Sequence, residues 1–470
     1  MVHRAHAALV IGAAGLVLAL VPLSAVAGSE RAKTASPALV WSPATLVFSG
    51  HGWGHGVGLS QYGAYGYAQH GYTYDQIVPH YFPGTDLEPA GSKTIRVLLA
   101  SGASSLTISS SAPFSVTDSS GFSYALPDLL VKLTSSLKVN LAGGSGKVAL
   151  SGPLTFTADT APLVYAGRKY RGKLRVIVVG SKLRLVNSVG LESYLYGVVP
   201  CESPHDWPAE ALKAQAVVAR TYALASIKSS SNFDVYPDTR SQVYFGISNE
   251  YPKSTKAVKD TSGEAVYYDG EIAQTFFFST SGGRTAAIRD AWPKAKREPY
   301  LISVNDPYDN TSPYHNWGPV TVSSLTLAKR LSVSEPVSDL TTKTNASRRV
   351  ARVTITGAGG ETWQVTGDSV KQALGLRSTW FKATVLALQY PSKAVASGAK
   401  VRIMGRARNA KSPTLEMRLP GSTWRKVRDL SPNSSGLVEV TLKPSATAYY
   451  RLVAEGAIGA PVRIKVTSAG

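Results

Sequence analysis

Cysteine is almost absent from this sequence. The 470 residues include a single cysteine, Cys201. One thiol cannot form an internal disulfide, so no disulfide stabilises the chain from within, and metal sites built from several cysteines are excluded. Charged residues are also sparse, at 17%, whereas 44% of the residues are hydrophobic, a balance typical of globular proteins.

Acidic residues are scarce relative to basic ones. There are 30 Asp and Glu residues against 50 Lys and Arg, which gives a formal net charge of +20 at pH 7. The basic residues are spread along the chain without a dense run, so we expect a diffuse attraction to polyanions rather than a recognition patch. For an exported protein those polyanions are anionic wall polymers, and we predict no nucleic-acid partner.

Long hydrophobic runs are missing after the first 27 residues. Within those residues, Arg4 precedes an apolar run at 7–23, and "AVA" at 25–27 provides a small-x-small cleavage site. This pattern predicts a signal peptide at 1–27 that is removed on export, and an uncleaved anchor is the alternative. We expect a secreted or cell-wall-associated protein with no transmembrane span after cleavage.

Short strand-like runs dominate the rest of the chain, which predicts an α+β fold with mostly short strands. Apolar residues spaced by three and four predict one major helix over 207–228. The run at 174–189 predicts a hairpin that turns at Gly180 and Ser181. The predicted parts are a leader at 28–45, a Gly/His-rich segment at 46–90 that packs on the core, a core at 91–385 and a C-terminal domain at 386–470.

The C-terminal part has a period of two. Hydrophobic residues such as Val401 and Ile403 alternate with polar ones, which predicts a small all-β sandwich. It contains no catalytic constellation. We interpret it as a domain that provides stability or spacing, or that binds the wall.

The stretch "FSGHGWGHGVGLSQYGAYGYAQHG" at 48–71 is rich in glycine and histidine but has no Asp, Glu, Lys or Arg. It lacks the G-x-G-x-x-G register and a following Gly-Lys-Ser/Thr, so it is not a nucleotide loop. A metal held by His51 and His55 is conceivable. The glycines between them disfavour a helix and no carboxylate is near, so we predict neither metal nor cofactor.

One acidic residue stands in an unusual context. Glu202 is predicted to lie in a loop between a strand at 194–199 and the major helix, and Pro200 and Pro204 would stiffen that loop. A carboxyl group beside apolar groups has a raised pKa, as a general acid requires. An ordinary solvated glutamate is the alternative interpretation.

The sequence "STSGG" at 279–283 raises the question of a serine nucleophile. Ser279 and Ser281 precede two glycines, but the G-x-S-x-G elbow of serine hydrolases is absent. We interpret the stretch as a glycine-rich turn that lines a ligand cleft, or as a plain turn.

Several longer stretches resemble the SpoIID/LytB family of bacterial envelope proteins. In family order they are "LESYLYGVVPCESP", "WPAEALKAQAVVARTYAL", "SQVYFG", "FFFSTSGGRT", "PYLISVNDPYD" and "LGLRSTWF". The "GHGVG" stretch and "HYFPGT" at 80–85 also match, but family members carry them after the core. The order here therefore looks circularly permuted, which is tolerable where chain termini lie close together. The resemblance implies that this segment packs against the Glu202 region.

The resemblance implies peptidoglycan glycan strands as the substrate and lytic transglycosylation as the reaction. Glu202 would be the only acid/base group, because a hydroxyl of the substrate replaces the second carboxylate of hydrolases. The implied substrate-binding residues are His51, His55, Ser60, Gln61, Lys213, Gln215, Arg220, Tyr222, Gln242, Tyr244, Ser279, Ser281, Gly282 and Gly283.

A second function remains open at this level. LytB-like members are described as amidase enhancers, so a protein with the same cleft would bind glycan without cutting it and modify the action of a wall amidase.

Overall fold

The computed structural model describes residues 38–467. The predicted signal peptide at 1–27 and residues 28–37 of the predicted leader lie outside the described residues. Within 38–467, no helix is both long enough and apolar enough to cross a membrane.

The helices of the described residues lie between 61 and 374 in the sequence. Two one-turn 3-10 helices, Gly246–Asn249 and Asp309–Thr311, accompany them. The α-helices of the described residues are α1 (Gln61–Gln69), α2 (Tyr74–Tyr81), α3 (Leu191–Glu202), α4 (Ala209–Ala225), α5 (Pro252–Asp260), α6 (Ile288–Ala291), α7 (Ser324–Arg330) and α8 (Gly367–Leu374).

The predicted major helix is confirmed as α4, the longest of these helices. Its predicted apolar stripe packs on the sheets of the core, whereas Val217 and Val218 pack on a second cluster that includes residues of α1 and α2. The helix is thus buried on two faces. It ends before Ile227, which is 38% exposed, so the predicted stripe extends one residue too far.

The predicted strand at 194–199 is wrong, because these residues belong to α3. Aromatic and β-branched residues favoured the strand interpretation. Tyr194, Leu195, Val198 and Val199 are all fully buried, and their spacing of one, three and four places them on one helical face. Tertiary burial therefore overrides the local β propensity.

Two antiparallel sheets follow the Gly/His-rich segment. The predicted hairpin at 174–189 is confirmed, since Lys173–Val179 pairs with Lys182–Gly190 across Gly180 and Ser181. In spatial order, the first sheet contains Thr94–Ala103, Lys182–Gly190, Lys173–Val179, Leu154–Ala158, Phe114–Thr117 and Ser123–Ala125, and the second contains Arg168–Tyr170, Leu163–Tyr165, Ser105–Ser110 and Leu130–Thr134.

Smaller sheets complete the middle of the chain. A short parallel pair joins the Gly/His-rich segment to the "FFFS" stretch. These sheets are Lys138–Asn140 with Lys147–Ala149, Glu271–Ile272 with Glu264–Tyr268 and Asp86–Pro89, Phe277–Phe278 with Leu59–Ser60, and Val337–Thr344 with Val350–Gly357 and Thr362–Thr366.

One sheet joins the start of the described chain to its C-terminal part. Strand Thr45–His51 lies between Asn316–Ser323 and Phe381–Pro391. The C-terminal half of Phe381–Pro391 then pairs with Val401–Arg408, which pairs with Leu437–Leu442, while Leu39–Trp41 pairs with the end of Phe381–Pro391. The predicted boundary at 385/386 falls inside this shared strand.

The C-terminal residues are all strand and turn, as the alternating pattern predicts. Val401 and Ile403 point into a buried cluster and Arg402 points out. Besides the shared sheet, the C-terminal part has a sheet of its own and a short parallel pair. The sheet contains Arg425–Asp429, Thr414–Arg418, Ala448–Ala454, Ala457–Ile458 and Val462–Ile464, and the pair joins Val395–Ala396 to Val466–Thr467.

Candidate active site around Glu202

Glu202 opens onto a cleft of about 380 Å³, which we call the Glu202 cleft. The Gly/His-rich segment and the end of α3 meet there although more than a hundred residues separate them in sequence. The lining residues are Trp53, Gly54, His55, Gln61, Glu202, Tyr222, Thr239, Arg240, Ser241, Val243, Phe276, Phe277, Phe278, Ser279 and Trp292.

Glu202 is the last residue of α3 and is partly exposed to the cleft. Burial among apolar groups raises the pKa of its carboxyl group to about 7. The Val243 N–H, which donates to Oε1 at 2.8 Å, and the Gln61 amide oppose this shift, but desolvation is the larger effect. Near neutral pH this carboxyl group can both donate and accept a proton.

In the described lining of the cleft, no second acid faces Glu202. Among the described residues that line the cleft, Glu202 is the only carboxylate. Arg240 is the one charged neighbour in the lining, and its guanidinium pairs with Asp238 at 2.7 Å. The site thus offers one acid/base group without a nucleophilic partner.

Gln61 connects Glu202 to the protein interior. Its Nε2 donates to Oε1 of Gln215 at 3.4 Å, and the Ser203 hydroxyl donates to the same oxygen at 3.4 Å. Gln215 is 1% exposed, so it contacts Gln61 from behind the cleft rather than reaching a ligand itself. The predicted substrate-binding role of Gln215 is therefore corrected to a supporting one.

The glycines of the Gly/His-rich segment allow it to pack tightly on the 276–283 stretch. Gly52 and Gly58 have positive φ angles of 72° and 78°. A Cβ atom on Gly58 would come within 2.2 Å of the Phe276 carbonyl oxygen, and one on Gly52 within 2.6 Å of the Thr280 carbonyl oxygen. Side chains are therefore excluded at both positions by conformation and by space.

His55 forms part of the cleft wall. Its ring lies 4.9 Å from Trp292 and 5.4 Å from Phe278, and burial lowers its pKa to about 4. The ring is therefore neutral at pH 7. Its Nδ1 accepts from the Val57 N–H at 3.0 Å, so the proton lies on Nε2.

His51 does not reach the Glu202 cleft. It lies in a separate cavity, where its ring is 4.9 Å from Trp380. The predicted placement of His51 beside Glu202 is wrong, because Gly52 turns the chain between the two histidines. Residues 38–467 contain no cluster of three or more potential metal ligands.

Of the remaining predicted residues, Tyr222 and Ser279 line the cleft. Ser60 does not, because it caps α1: its hydroxyl accepts from the Gly63 N–H and from the Ser281 N–H, each at 3.2 Å. Ser60 is fully buried, so its predicted ligand contact is corrected to a structural one.

The "STSGG" turn is held by Asp309. This carboxylate accepts from the Ser281 hydroxyl at 2.9 Å, from the Gly282 N–H at 2.5 Å and from His315 Nδ1 at 2.7 Å. Ser281, Gly282 and Gly283 therefore shape the turn that presents Ser279 and do not line the cleft themselves, contrary to prediction.

Two predicted residues of α4 point elsewhere. Arg220 is fully buried and pairs with Glu192 at 2.7 Å. Lys213 pairs with Glu210 at 2.8 Å. Neither lines the Glu202 cleft, because the polar face of α4 turns towards the protein's own carboxylates.

Two predicted residues after α4 are also interior. Gln242 is fully buried, accepting from the Tyr194 hydroxyl and donating to the Ala219 carbonyl. Tyr244 is 1% exposed, and its hydroxyl donates to Asn187 Oδ1 at 2.9 Å. Their predicted substrate contacts are corrected to core contacts with Tyr194 of α3, Ala219 of α4 and Asn187.

Sequence reasoning missed much of the apolar wall. Trp53, Trp292 and Phe276 line the cleft, and so does Val243, whose N–H binds Glu202. The available signal was the density of aromatic residues in glycine-rich loops. The backbone donor at Val243 had no signal in the sequence.

Three further aromatic rings adjoin the cleft, and we call them the aromatic rim: Tyr62, Tyr65 and Trp207. Trp207 lies 5.0 Å from Tyr62 and 4.9 Å from Tyr65, at interplanar angles of 66° and 52°. Tyr62 follows Gln61, and its N–H donates to the Ser279 carbonyl at 3.0 Å. All three rings are partly exposed and none is stacked face to face on another.

Comparison with known proteins covers the region that builds this site. Residues 179–268 match the family model described as "Stage II sporulation protein". That range contains Glu202, α3, α4 and the 239–243 loop.

Three curated relatives are similar over parts of their length. An uncharacterized protein of Brachyspira hyodysenteriae is 37% identical over 179 residues, which is 37% of this chain and 46% of that protein. Stage II sporulation protein D of Bacillus subtilis is 33% identical over 218 residues, 42% of this chain and 61% of that protein. The amidase enhancer of Bacillus subtilis is 34% identical over 188 residues, 38% of this chain and 24% of that protein. The chain thus spans about half of the length of the first of these relatives.

Proposed function

We propose that this chain, which is similar over part of its length to a stage II sporulation protein D and to an amidase enhancer, is a cell-wall protein that binds peptidoglycan glycan strands and cleaves them by lytic transglycosylation. The observation that carries the proposal is the single partly buried carboxyl group of Glu202, with a pKa of about 7, in a cleft lined by aromatic and amide side chains.

The chemistry needs one group that changes its protonation state. Protonated Glu202 donates its proton to the glycosidic oxygen as the bond to the sugar breaks. The resulting carboxylate then accepts the proton of a hydroxyl on the same sugar, which closes an internal ring and leaves an anhydro end. A hydrolase would need a second carboxylate, and the described lining of the cleft holds none.

Neighbouring groups fit this cycle. The Val243 N–H donates to Oε1 at 2.8 Å and stabilises the carboxylate once the proton has left. His55 is neutral at pH 7, so its ring adds no positive charge that would lower the pKa of Glu202. Trp53, Tyr222 and Trp292 provide aromatic surface for the apolar faces of sugars.

Export and wall attachment belong to the same proposal. The signal-peptide pattern at 1–27 would deliver the chain to the envelope, and the net charge of +20 would attract anionic wall polymers.

A second candidate function rests on the similarity to a protein named amidase enhancer. In that case the Glu202 cleft binds glycan without cutting it, and the bound protein changes the action of a separate wall amidase.

The deciding experiment compares wild type with Glu202→Gln on purified glycan strands. Glutamine keeps the shape of the side chain but cannot transfer a proton, so release of anhydro-muramyl ends should fall by about 10²–10⁴-fold. Glu455→Gln is the matched control, because Glu455 is an exposed residue of the C-terminal part that pairs with Lys411.

Each outcome separates the two functions. Loss of anhydro ends only in Glu202→Gln supports transglycosylation by Glu202. Cleavage at the wild-type rate in this variant excludes Glu202 as the acid. A wild-type protein that binds strands, produces no anhydro ends and accelerates an added amidase favours the second function.

A further inference from the structure

His51 lines a cavity of about 410 Å³ that the proposed reaction does not use. The cavity is a separate site, since it shares no lining residue with the Glu202 cleft. Its lining residues are Ser49, Gly50, His51, Asn316, Trp317, Thr344, Arg348, Trp380, Phe381 and Lys382.

The cavity has positive charge without a matching negative charge. Arg348 and Lys382 are exposed, and neither forms an ion pair with any acidic residue of 38–467. No carboxylate is among the residues that line the cavity. Two unpaired cations beside one concave surface favour an anionic ligand.

The backbone at Arg348 forms a tight turn beside the cavity. Its φ angle is 62°, a left-handed conformation that is uncommon for residues other than glycine and asparagine. The Arg348 N–H donates to the Asn345 carbonyl at 3.1 Å, which closes a tight turn. The turn directs the chain from Thr344 back to the buried Arg349 and leaves the Arg348 side chain at the cavity.

The wall of the cavity formed by Trp380 is uncharged. This indole is partly exposed and lies 4.9 Å from the His51 ring. Burial lowers the pKa of His51, so its imidazole is neutral at pH 7 and offers one donor and one acceptor. With the Asn316 amide, these groups provide an aromatic surface bordered by uncharged hydrogen-bonding atoms, which suits a sugar ring.

We propose that this cavity binds an acidic sugar residue, a pyranose ring that carries a carboxylate. The ring packs on Trp380, its carboxylate pairs with Arg348 and Lys382, and its hydroxyl or amide groups bond to His51 and Asn316.

We further place this acidic sugar in the same glycan strand that binds in the Glu202 cleft, and this step rests on the proposed function. His51 and His55 are four residues apart, so at most about 14 Å separates their Cα atoms. One glycan strand with carboxylates on alternate sugars would therefore reach both sites, and the cavity would fix which sugar lies over Glu202.

The test uses the full chain with ¹⁵N-labelled tryptophan and two probes, N-acetylmuramic acid and N-acetylglucosamine, which lacks the carboxylate. Trp380→Phe assigns the indole signal that reports on the cavity. We expect N-acetylmuramic acid to shift this signal with a dissociation constant at least tenfold lower than that of N-acetylglucosamine. The double variant Arg348→Ala/Lys382→Ala should abolish the difference, whereas Lys426→Ala/Arg428→Ala, an equal loss of charge on an exposed strand, should preserve it.

Three results would overturn the inference. They are equal affinity for the two sugars, an unchanged preference in the Arg348→Ala/Lys382→Ala variant, and displacement of N-acetylmuramic acid by inorganic phosphate at a lower concentration than acetate requires, which would assign the cavity to phosphate. Repeating the titration in Glu202→Gln separates the proposals, since this variant tests cleavage but leaves the Trp380 signal unchanged.

Discussion

Glu202 and Asp306 have carboxyl groups with similar raised pKa values, about 7, in opposite surroundings. Burial is the main cause in both cases, and nearby Asp309 adds to the shift at Asp306. Asp306 is fully buried, accepts from the Tyr81 hydroxyl at 2.8 Å and lies against Gly63 of α1. Glu202 is partly exposed at the end of α3 and faces a cleft.

The comparison shows that a perturbed pKa does not by itself identify a catalytic group. Both carboxyl groups hold a proton near neutral pH, but only Glu202 can exchange it with a ligand. The two sites differ in access to the cleft rather than in the size of the pKa shift. This difference supports the proposed proton transfer at Glu202 and a structural role for Asp306.

The largest expected effect is on the pH dependence of cleavage. Because the proposed reaction requires the acid form of Glu202, kcat/KM on glycan strands should fall about tenfold for each pH unit above about 7. The measurement is the initial rate of anhydro-end formation from pH 5 to 9. Two results would contradict the distinction between the two carboxyl groups. One is a wild-type rate that stays constant up to pH 9, and the other is a shifted midpoint of the pH profile in Asp306→Asn.

The next effect is on stability and concerns Asp306. Its pKa is about 7 in the folded chain against an ordinary value of 3.8. Between these values the unfolded chain releases the proton and the folded chain keeps it, so this group stabilises the fold at low pH and the contribution is lost as pH rises to about 7. One proton corresponds to a slope of at most about 1.4 kcal/mol per pH unit.

Asp306→Asn should remove this slope and retain cleavage. The free energy of unfolding from urea titrations at pH 4 to 8 is the measurement, taken as the difference between wild type and variant. Glu202→Gln is the matched variant, since it should remove a similar slope and abolish cleavage. Loss of cleavage in Asp306→Asn, with the fold intact, would show that the proton transfer does not belong to Glu202 alone.

Some features of the two carboxyl sites and of the fold could be predicted from the sequence, and others could not. The major helix and the alternating C-terminal strands were predictable, because a 3.6-residue period and a two-residue period each depend on neighbouring residues. Glu202 was singled out by its proline-rich context, but the predicted loop is wrong, because Glu202 is the last residue of α3 and Pro200 lies inside that helix. Asp306 was not singled out, since its burial depends on Tyr81 and Gly63, which are over two hundred residues away. The predicted strand at 194–199 failed for the same reason.

The predicted binding residues also fall into two groups, those that line the cleft and those that distant parts of the chain bury. Gln61, Tyr222 and Ser279 line the cleft, but Arg220 and Tyr244 are buried by partners that are distant in sequence. A motif identifies which residues belong to a site region. It does not distinguish a side chain that contacts the ligand from one that positions its neighbour.

A smaller effect is expected at the aromatic rim. Trp207→Ala removes the ring that both rim tyrosines contact, and one aromatic contact contributes about 1 kcal/mol, or about fivefold in affinity. Long glycan strands should therefore bind about fivefold more weakly by calorimetry, while a disaccharide that fills only the cleft should bind unchanged. Trp424→Ala, which removes a tryptophan of the C-terminal part, is the control. An equal loss for the disaccharide would place Trp207 inside the cleft rather than beside it.

The smallest effect on binding is expected at Tyr244, which the sequence assigned to the ligand and the structure places in the core. Tyr244→Phe deletes the hydroxyl that donates to Asn187 Oδ1 at 2.9 Å and leaves that oxygen without this partner. The loss should lower the free energy of unfolding by about 1 kcal/mol. Strand affinity should stay within error of wild type, because the ring does not line the cleft and still packs on Tyr194 at 4.9 Å. Tyr222→Phe is the matched change at a residue that does line the cleft, so it should weaken binding with little effect on stability. The reverse pattern, with Tyr244→Phe weakening binding at unchanged stability, would return Tyr244 to the ligand and show that burial in the free protein does not exclude contact in the complex.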